Sequence, residues 1–114
     1  LALERLIHKH PNVDAIFVTS GGDFLLDSVD VLGSMGYNLQ TFGFASFDSY
    51  RFFHYLGIEV WSVRQALEQL GQKSAAILLD QIAGKEIPNI SHFLDVELVH
   101  HSPKLHIKAP KGAR

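Results

Sequence analysis

From Leu39 to Phe47 the chain runs LQTFGFASF, apolar and aromatic with no charge, and it meets an acid, Asp48, at its end. A short aromatic segment, SYRFFHYL, follows, then a second apolar run, IEVWSV, which leads through Arg64 and Gln65 into the longest helical pattern of the chain. An uncharged run of that length predicts a strand covered on both faces. Strand, short helix, strand and long helix in succession restrict the fold to parallel strands joined by crossovers. In such sheets ligands gather outside the carboxyl ends of the strands. Asp48 and the segment WSVRQ are therefore expected to face one cleft.

The rest of the chain repeats the alternation. Leu1, Leu3, Leu6 and Ile7 form a helical stripe that stops before Pro11, and AIFV, set between Asp14 and Thr19, reads as a short continuous apolar strand. Gly21 and Gly22 make a turn. Asp23 is placed to cap a helix whose Leu25, Leu26, Val29, Leu32 and Met35 share a face, with Gly33 and Gly36 closing it. Residues 49–56 predict a short helix and 58–63 a strand. The pattern over 66–83 predicts the longest helix, with Leu67, Leu70, Ser74, Leu78 and Ile82 on one stripe and Gly84 as its stop. Residues 93–99 alternate less cleanly and predict a strand near a sheet edge. The resulting order, α-β-α-β-α-β-α-β, is that of an α/β fold with a parallel sheet flanked by helices.

Composition bounds what such a fold can be. The chain has 114 residues, enough for one small domain and too few for two. It begins at Leu1 inside a helical pattern, so we expect a piece of a longer protein: 1–103 an incomplete domain, 104–114 a loosely ordered basic tail with Lys104, Lys108, Lys111 and Arg114 and no acid. A formal net charge of −2 gives no basic face for nucleic acid. Cysteine is absent, which fits a reducing cytoplasm. The apolar runs fall far short of the roughly 18 residues of a membrane span, so no membrane partner is expected.

Several separately spaced segments together resemble the effector-binding domain of the lactose-repressor/galactose-repressor family. HPNVDAIFVTS is similar to the family's Pro-x-Asp-Ala-Ile-Phe strand, FASFDS to its strand ending in Gly-Phe-Asp-Asp, and the spacing from Asp48 to Gln65 matches the family's spacing from the first Asp of that pair to its Gln. LEQLGQKSAAILLDQIAGK resembles the Glu-Leu-Gly that opens an Ala-rich helix, and LDVELVHHSP the closing strand. The run of Thr19 and Ser20 is nearer the fructose- and sucrose-repressor branch. The departures are Ser49 for the second Asp, Ser20-Gly21 for Asn-Asp, Gly57-Ile58-Glu59 for Pro-Pro, and His100 for an Arg.

The resemblance implies a type I periplasmic-binding-protein-like fold: the C-terminal lobe of an effector domain plus the helix that crosses to the other lobe. It also implies a transcription regulator that binds a small-molecule effector, a sugar or sugar phosphate. Such a regulator works as a cytoplasmic homodimer and reaches operator DNA through a helix-turn-helix absent from this chain. By the same resemblance Gln65 contacts the effector, and Leu25, Phe52, Phe53, Tyr55 and Leu56 make the dimer contact. An extracytoplasmic sugar-binding protein of a transport system shares the fold and is the alternative.

Residue chemistry gives each candidate two readings. An ionised Asp48 accepts from two hydroxyls at once, as a polyol needs, or it caps the 49–56 helix. Ser20 donates to a ligand oxygen or caps the next helix. Trp61 stacks its indole on a sugar face or fills the core. Gln65 donates and accepts at the ligand or sits exposed at a helix start. No catalytic set is visible: there is no nucleophile elbow, no phosphate loop and no His-Glu-x-x-His, so we expect no enzyme and no cofactor. A metal site is not expected either, since His8 and His10 diverge on a helix and adjacent His100 and His101 point to opposite faces of a strand.

Overall fold

The computed structural model describes residues 2–103; Leu1 and the basic tail 104–114 lie outside the described residues. The elements are α1 (Ala2–Lys9), β1 (Ala15–Val18), α2 (Gly22–Ser34), β2 (Gly43–Ser46), a 3-10 turn (Arg51–Tyr55), β3 (Val60–Arg64), α3 (Leu67–Ile82) and β4 (Glu97–His101). They form one sheet of order β1-β2-β3-β4. The alternation read from the sequence holds. The sheet is parallel from β1 to β3, and β4 runs antiparallel to β3. That direction corrects the expectation of an all-parallel sheet. A parallel fourth strand would need α3 to pack back across the sheet, whereas none of its side chains is buried. The chain instead returns alongside β3 in a register that sets Glu97 opposite Arg64, 3.0 Å apart.

The ends of the helices follow local chemistry. Past α2, Gly36 takes φ 83°, the Tyr37 N–H donates to Leu32 O and the Gly36 N–H to Gly33 O. Gly84 does the same past α3 with φ 76°, and Lys85 N–H reaches Asp80 O. Both are left-handed glycine stops that satisfy the last carbonyls, as the sequence indicated. The start of α2 differs from expectation. Gly21 holds the cap position without a side-chain cap, and Asp23 lies inside the first turn.

Helix α1, helix α2 and the 3-10 turn cover one face of the sheet. Ile7, Leu25, Leu32, Phe42, Phe44, Phe53, Ile58 and Val60 make a single core there. The aromatic turn can close on α2 because Gly22 has no side chain: a Cβ at that position would lie 2.9 Å from both Tyr50 and Phe52. This packing also explains why 49–56 yields only a 3-10 turn. Tyr50 stays extended with no side-chain cap, and buried Phe53 is held edge-on by Phe52, Tyr50 and His101.

Two expectations about exposure are corrected. Leu25 and Phe53, assigned to a dimer contact, are both 0% exposed and belong to the core, because the sheet and α2 close over them. Phe52 and Leu56 are half-buried against that core, and Tyr55 stands outside it at 74% exposed. The strand expected to be covered on both faces, β2, alternates half-buried and buried residues, while its neighbours Phe17 and Trp61 look out from the face opposite the core, along with Leu98 at the edge. Within 39–47, only Gly43–Ser46 is strand, since Asn38 O gathers the N–H groups of Thr41 and Phe42 into a turn first. Among the described residues no helix is long and apolar enough to cross a membrane.

Candidate functional site

The parallel strands deliver polar residues to one end of the sheet. Ser46 pairs with Ser62 at the last shared rung of β2 and β3. Two residues further on the first strand stands Asp48, and just past the end of the second stands Gln65. Their side chains meet: Gln65 Nε2 donates to Asp48 Oδ1 at 2.7 Å. The other carboxylate oxygen, Oδ2, accepts a longer bond from the Gly21 N–H at 3.4 Å. Asp48 therefore serves the start of α2 and not the 51–55 turn, whose cap residue has no side-chain bond. The amino-terminal end of α2 lies beside that carboxylate.

Asp48, Ser49, Tyr50, Arg64, Gln65 and Leu67 line one hollow of about 280 Å³. A carboxylate offers about four acceptor positions, and two are taken, so Asp48 retains capacity for ligand hydroxyls. Gln65 keeps its second N–H and its carbonyl oxygen. Arg64, over half exposed, is committed to Glu97. A larger hollow of about 400 Å³ lies between α1 and α2, with walls that include Leu3, Phe24 and Val31. Its walls also hold Asp27 and Asp30, and its Ser28 hydroxyl is spent on Phe24 O at 2.6 Å; we place the candidate site at the strand ends, where polar side chains from different strands bond to one another.

The structure brings Asp48 and Gln65 together and leaves the other two candidates apart from them. Ser20 is exposed next to Gly21 and does not line the hollow. Trp61 sits near the start of β3 on the sheet face opposite the core. It is 47% exposed and stacks on His100, its cross-strand partner, with centroids 4.3 Å apart and an interplanar angle of 14°. It is thus neither core nor part of this hollow.

Beneath the hollow lies a buried polar group that the sequence did not announce. His101, 1% exposed, places Nε2 at 2.7 Å from Ser62 Oγ and 3.1 Å from Ser49 Oγ. Its Nδ1 is 3.3 Å from His54 Nε2. Burial pushes the His101 pKa below the ordinary histidine value, and His54, Arg64 and His100 push it the same way. A neutral ring follows. Phe53 packs edge-on against it and the His54 ring leans on it at 59°, which together hold its plane. One signal for this group was present in the sequence: Ser62 alternates with Val60 on the inward face of β3. The partner from β4 was not legible, because 47 residues separate His54 from His101.

No family model matches the chain, and no curated protein does. Among solved structures it is similar to GanP, a glucose-galactose binding protein from Geobacillus stearothermophilus, with a TM-score of 0.68 at 21% sequence identity. The match covers 88% of this chain and 36% of that one, so the chain spans about a third of the length of the structure it resembles. A likeness at this level shows the fold. The chain has the α/β, periplasmic-binding-protein-like fold of that sugar-binding protein, a mixed four-stranded sheet with helices against it.

Proposed function

We propose that this chain is part of the effector-binding domain of a sugar-responsive transcription regulator of the lactose-repressor type. The observation that carries the sugar is the Asp48–Gln65 bond at the strand ends, 2.7 Å long, in a hollow with spare acceptor capacity. A neutral sugar suits it better than a sugar phosphate. Asp48 repels a second anion, and among the described residues the one cation of the hollow, Arg64, is already paired with Glu97. The match to a glucose-galactose binding protein supports the same ligand class. The regulatory role rests on the resemblance of the spaced sequence segments.

In this reading the sugar binds one orientation of two lobes more tightly than the other, and that difference shifts the population. The shift alters how a homodimer presents its helix-turn-helix domains to operator DNA in the cytoplasm. The dimer forms through Tyr55 with the outer parts of Phe52 and Leu56. Phe24, 61% exposed on the first turn of α2, takes the place of buried Leu25. The second reading is an extracytoplasmic sugar-binding protein of a transport system, and the match to GanP supports sugar binding in either reading. One experiment separates them. The full-length polypeptide that carries this chain is titrated with D-glucose and D-galactose, and its affinity for DNA from its own upstream region is measured with and without sugar. Sugar binding that changes DNA affinity fivefold or more, a typical coupling, supports the regulator. Sugar binding without DNA affinity supports the transport role, and no sugar binding contradicts both.

A further inference from the structure

We propose that Ser49 is a third ligand-binding group, a hydrogen-bond donor set beside the Asp48 acceptor, and that buried His101 is the positioning residue that holds it there. This rests on the sugar-binding reading of the hollow. The argument starts from what a sugar hydroxyl requires. It donates one hydrogen and accepts on its oxygen, so each hydroxyl bound by a carboxylate oxygen also needs a donor, and the second N–H of Gln65 supplies only one. Ser49 follows Asp48 directly in the chain and lines the same hollow.

The proton inventory of the buried group decides which role Ser49 plays. In one tautomer, His101 Nε2 is the acceptor. It has one lone pair and two hydroxyls near it, and Ser62, at 2.7 Å against 3.1 Å for Ser49, is the better placed donor. Ser49 then keeps its hydrogen. In the other tautomer Nε2–H donates toward the serine oxygens while His101 Nδ1 accepts from His54 Nε2–H across 3.3 Å. The hydrogen of Ser49 again remains free. In this second tautomer Nε2–H holds the Ser49 oxygen while its O–H turns to the ligand; in the first, Nε2 offers only a lone pair and does not hold that oxygen, so the positioning role belongs to the Nε2–H form. The ring itself cannot turn aside, because Phe53 and His54 pack on it and it is 1% exposed.

Asp48 and Ser49 thus form an adjacent acceptor and donor, the complement of a hydroxyl pair on neighbouring carbons of a neutral sugar. An apolar ligand or a simple dicarboxylate leaves one of them unpaired. Specificity of this kind comes from buried polar groups that a wrong ligand cannot satisfy.

The test is a double-mutant cycle by calorimetric titration of the full-length protein with D-glucose, D-galactose and their monodeoxy analogues, alongside melting curves. Ser49→Ala is expected to weaken binding of the preferred sugar about fivefold, a typical loss for one neutral hydrogen bond, and Ser49→Thr to restore it. One monodeoxy analogue should bind parent and Ser49→Ala equally. His101→Gln, which keeps a polar side chain at that place, should weaken binding in the parent and add little in the Ser49→Ala background. If Asp48→Asn weakens binding and Ser49→Ala does not, the Ser49 role is overturned while the sugar site stands. If His101→Gln costs as much with Ala at 49 as with Ser, His101 does not act through Ser49. A parent that binds no sugar overturns the functional reading itself.

Discussion

Two halves of this chain have similar apolar periodicity and opposite fates. In the first, residues 2–65, helix stripes and strand faces close on one another, and Leu25, Leu32, Phe53 and Val60 lose all contact with solvent. In the second, α3 carries Leu67, Leu70, Leu78, Leu79 and Ile82 at 48% to 74% exposure, and Phe93 beyond it stands 92% exposed. The radius of gyration is 20.3 Å, against about 13 Å for a compact chain of this length. The lesson is that a hydrophobic stripe specifies that a surface is to be covered, and not by what. The outer face of the sheet, with Phe17, Trp61 and Leu98, belongs with the second half in this respect. Exposed apolar surface of this extent exceeds what scattered surface residues leave on a monomer, and an association experiment tests what covers it.

The sharpest way to break the contrast is to cut a large apolar side chain from each half. Phe53→Ala empties the centre of the core and should destabilise by about 3–5 kcal/mol in urea unfolding, the usual cost of a buried aromatic. Leu79→Ser on α3 should cost less than about 0.5 kcal/mol, as surface changes do. Comparable losses would mean that α3 is folded into the same cooperative unit.

The next test concerns association. The chain of 114 residues alone should self-associate and bind a hydrophobic dye, and the combined change Leu78→Lys, Leu79→Lys and Ile82→Lys should return it to a monomer with its helix content kept. Sedimentation reads the mass. An unchanged mass would show that the α3 face is not what associates. Tyr55→Asp, by contrast, should leave this association intact and lower the mass of the full-length protein, since Tyr55 lies on the proposed dimer edge.

The smallest expected effect is one of pH. His101 resists protonation in the folded chain, so between about pH 6.5, the unperturbed value, and its lower folded value the unfolded chain holds more protons. Stability from this group is therefore complete above about pH 6.5 and declines as pH falls, levelling off once the folded ring also protonates. Melting curves from pH 7.5 to 5 should show a shallower decline for His101→Gln than for the parent. Identical slopes would mean that the ring is not protected in the way its burial implies.

How much of this was legible in the sequence follows from the range of each signal. The order of elements was readable because strand and helix periods and the stops at Gly36 and Gly84 are local. The meeting of Asp48 with Gln65 was readable because strand ends in a parallel sheet share one edge. The direction of β4 was not, since alternation over five residues has no polarity and depends on where α3 goes. Nor could the sequence distinguish buried Leu25 and Phe53 from exposed Tyr55, because an apolar side chain does not carry the identity of its cover. The Ser49–His101–His54 group joins the chain across more than forty residues, beyond any spacing rule.

The central claim is that the carboxylate at 48 is a charged acceptor for a sugar. Asp48→Asn keeps the volume and one oxygen, so the fold should survive. Calorimetric titration of the full-length protein with D-glucose and D-galactose should show the affinity of the variant lower by about 1.5–3 kcal/mol, the range for hydrogen bonds to a charged group, with a melting temperature near the parent's. Equal affinity in parent and variant would contradict the account.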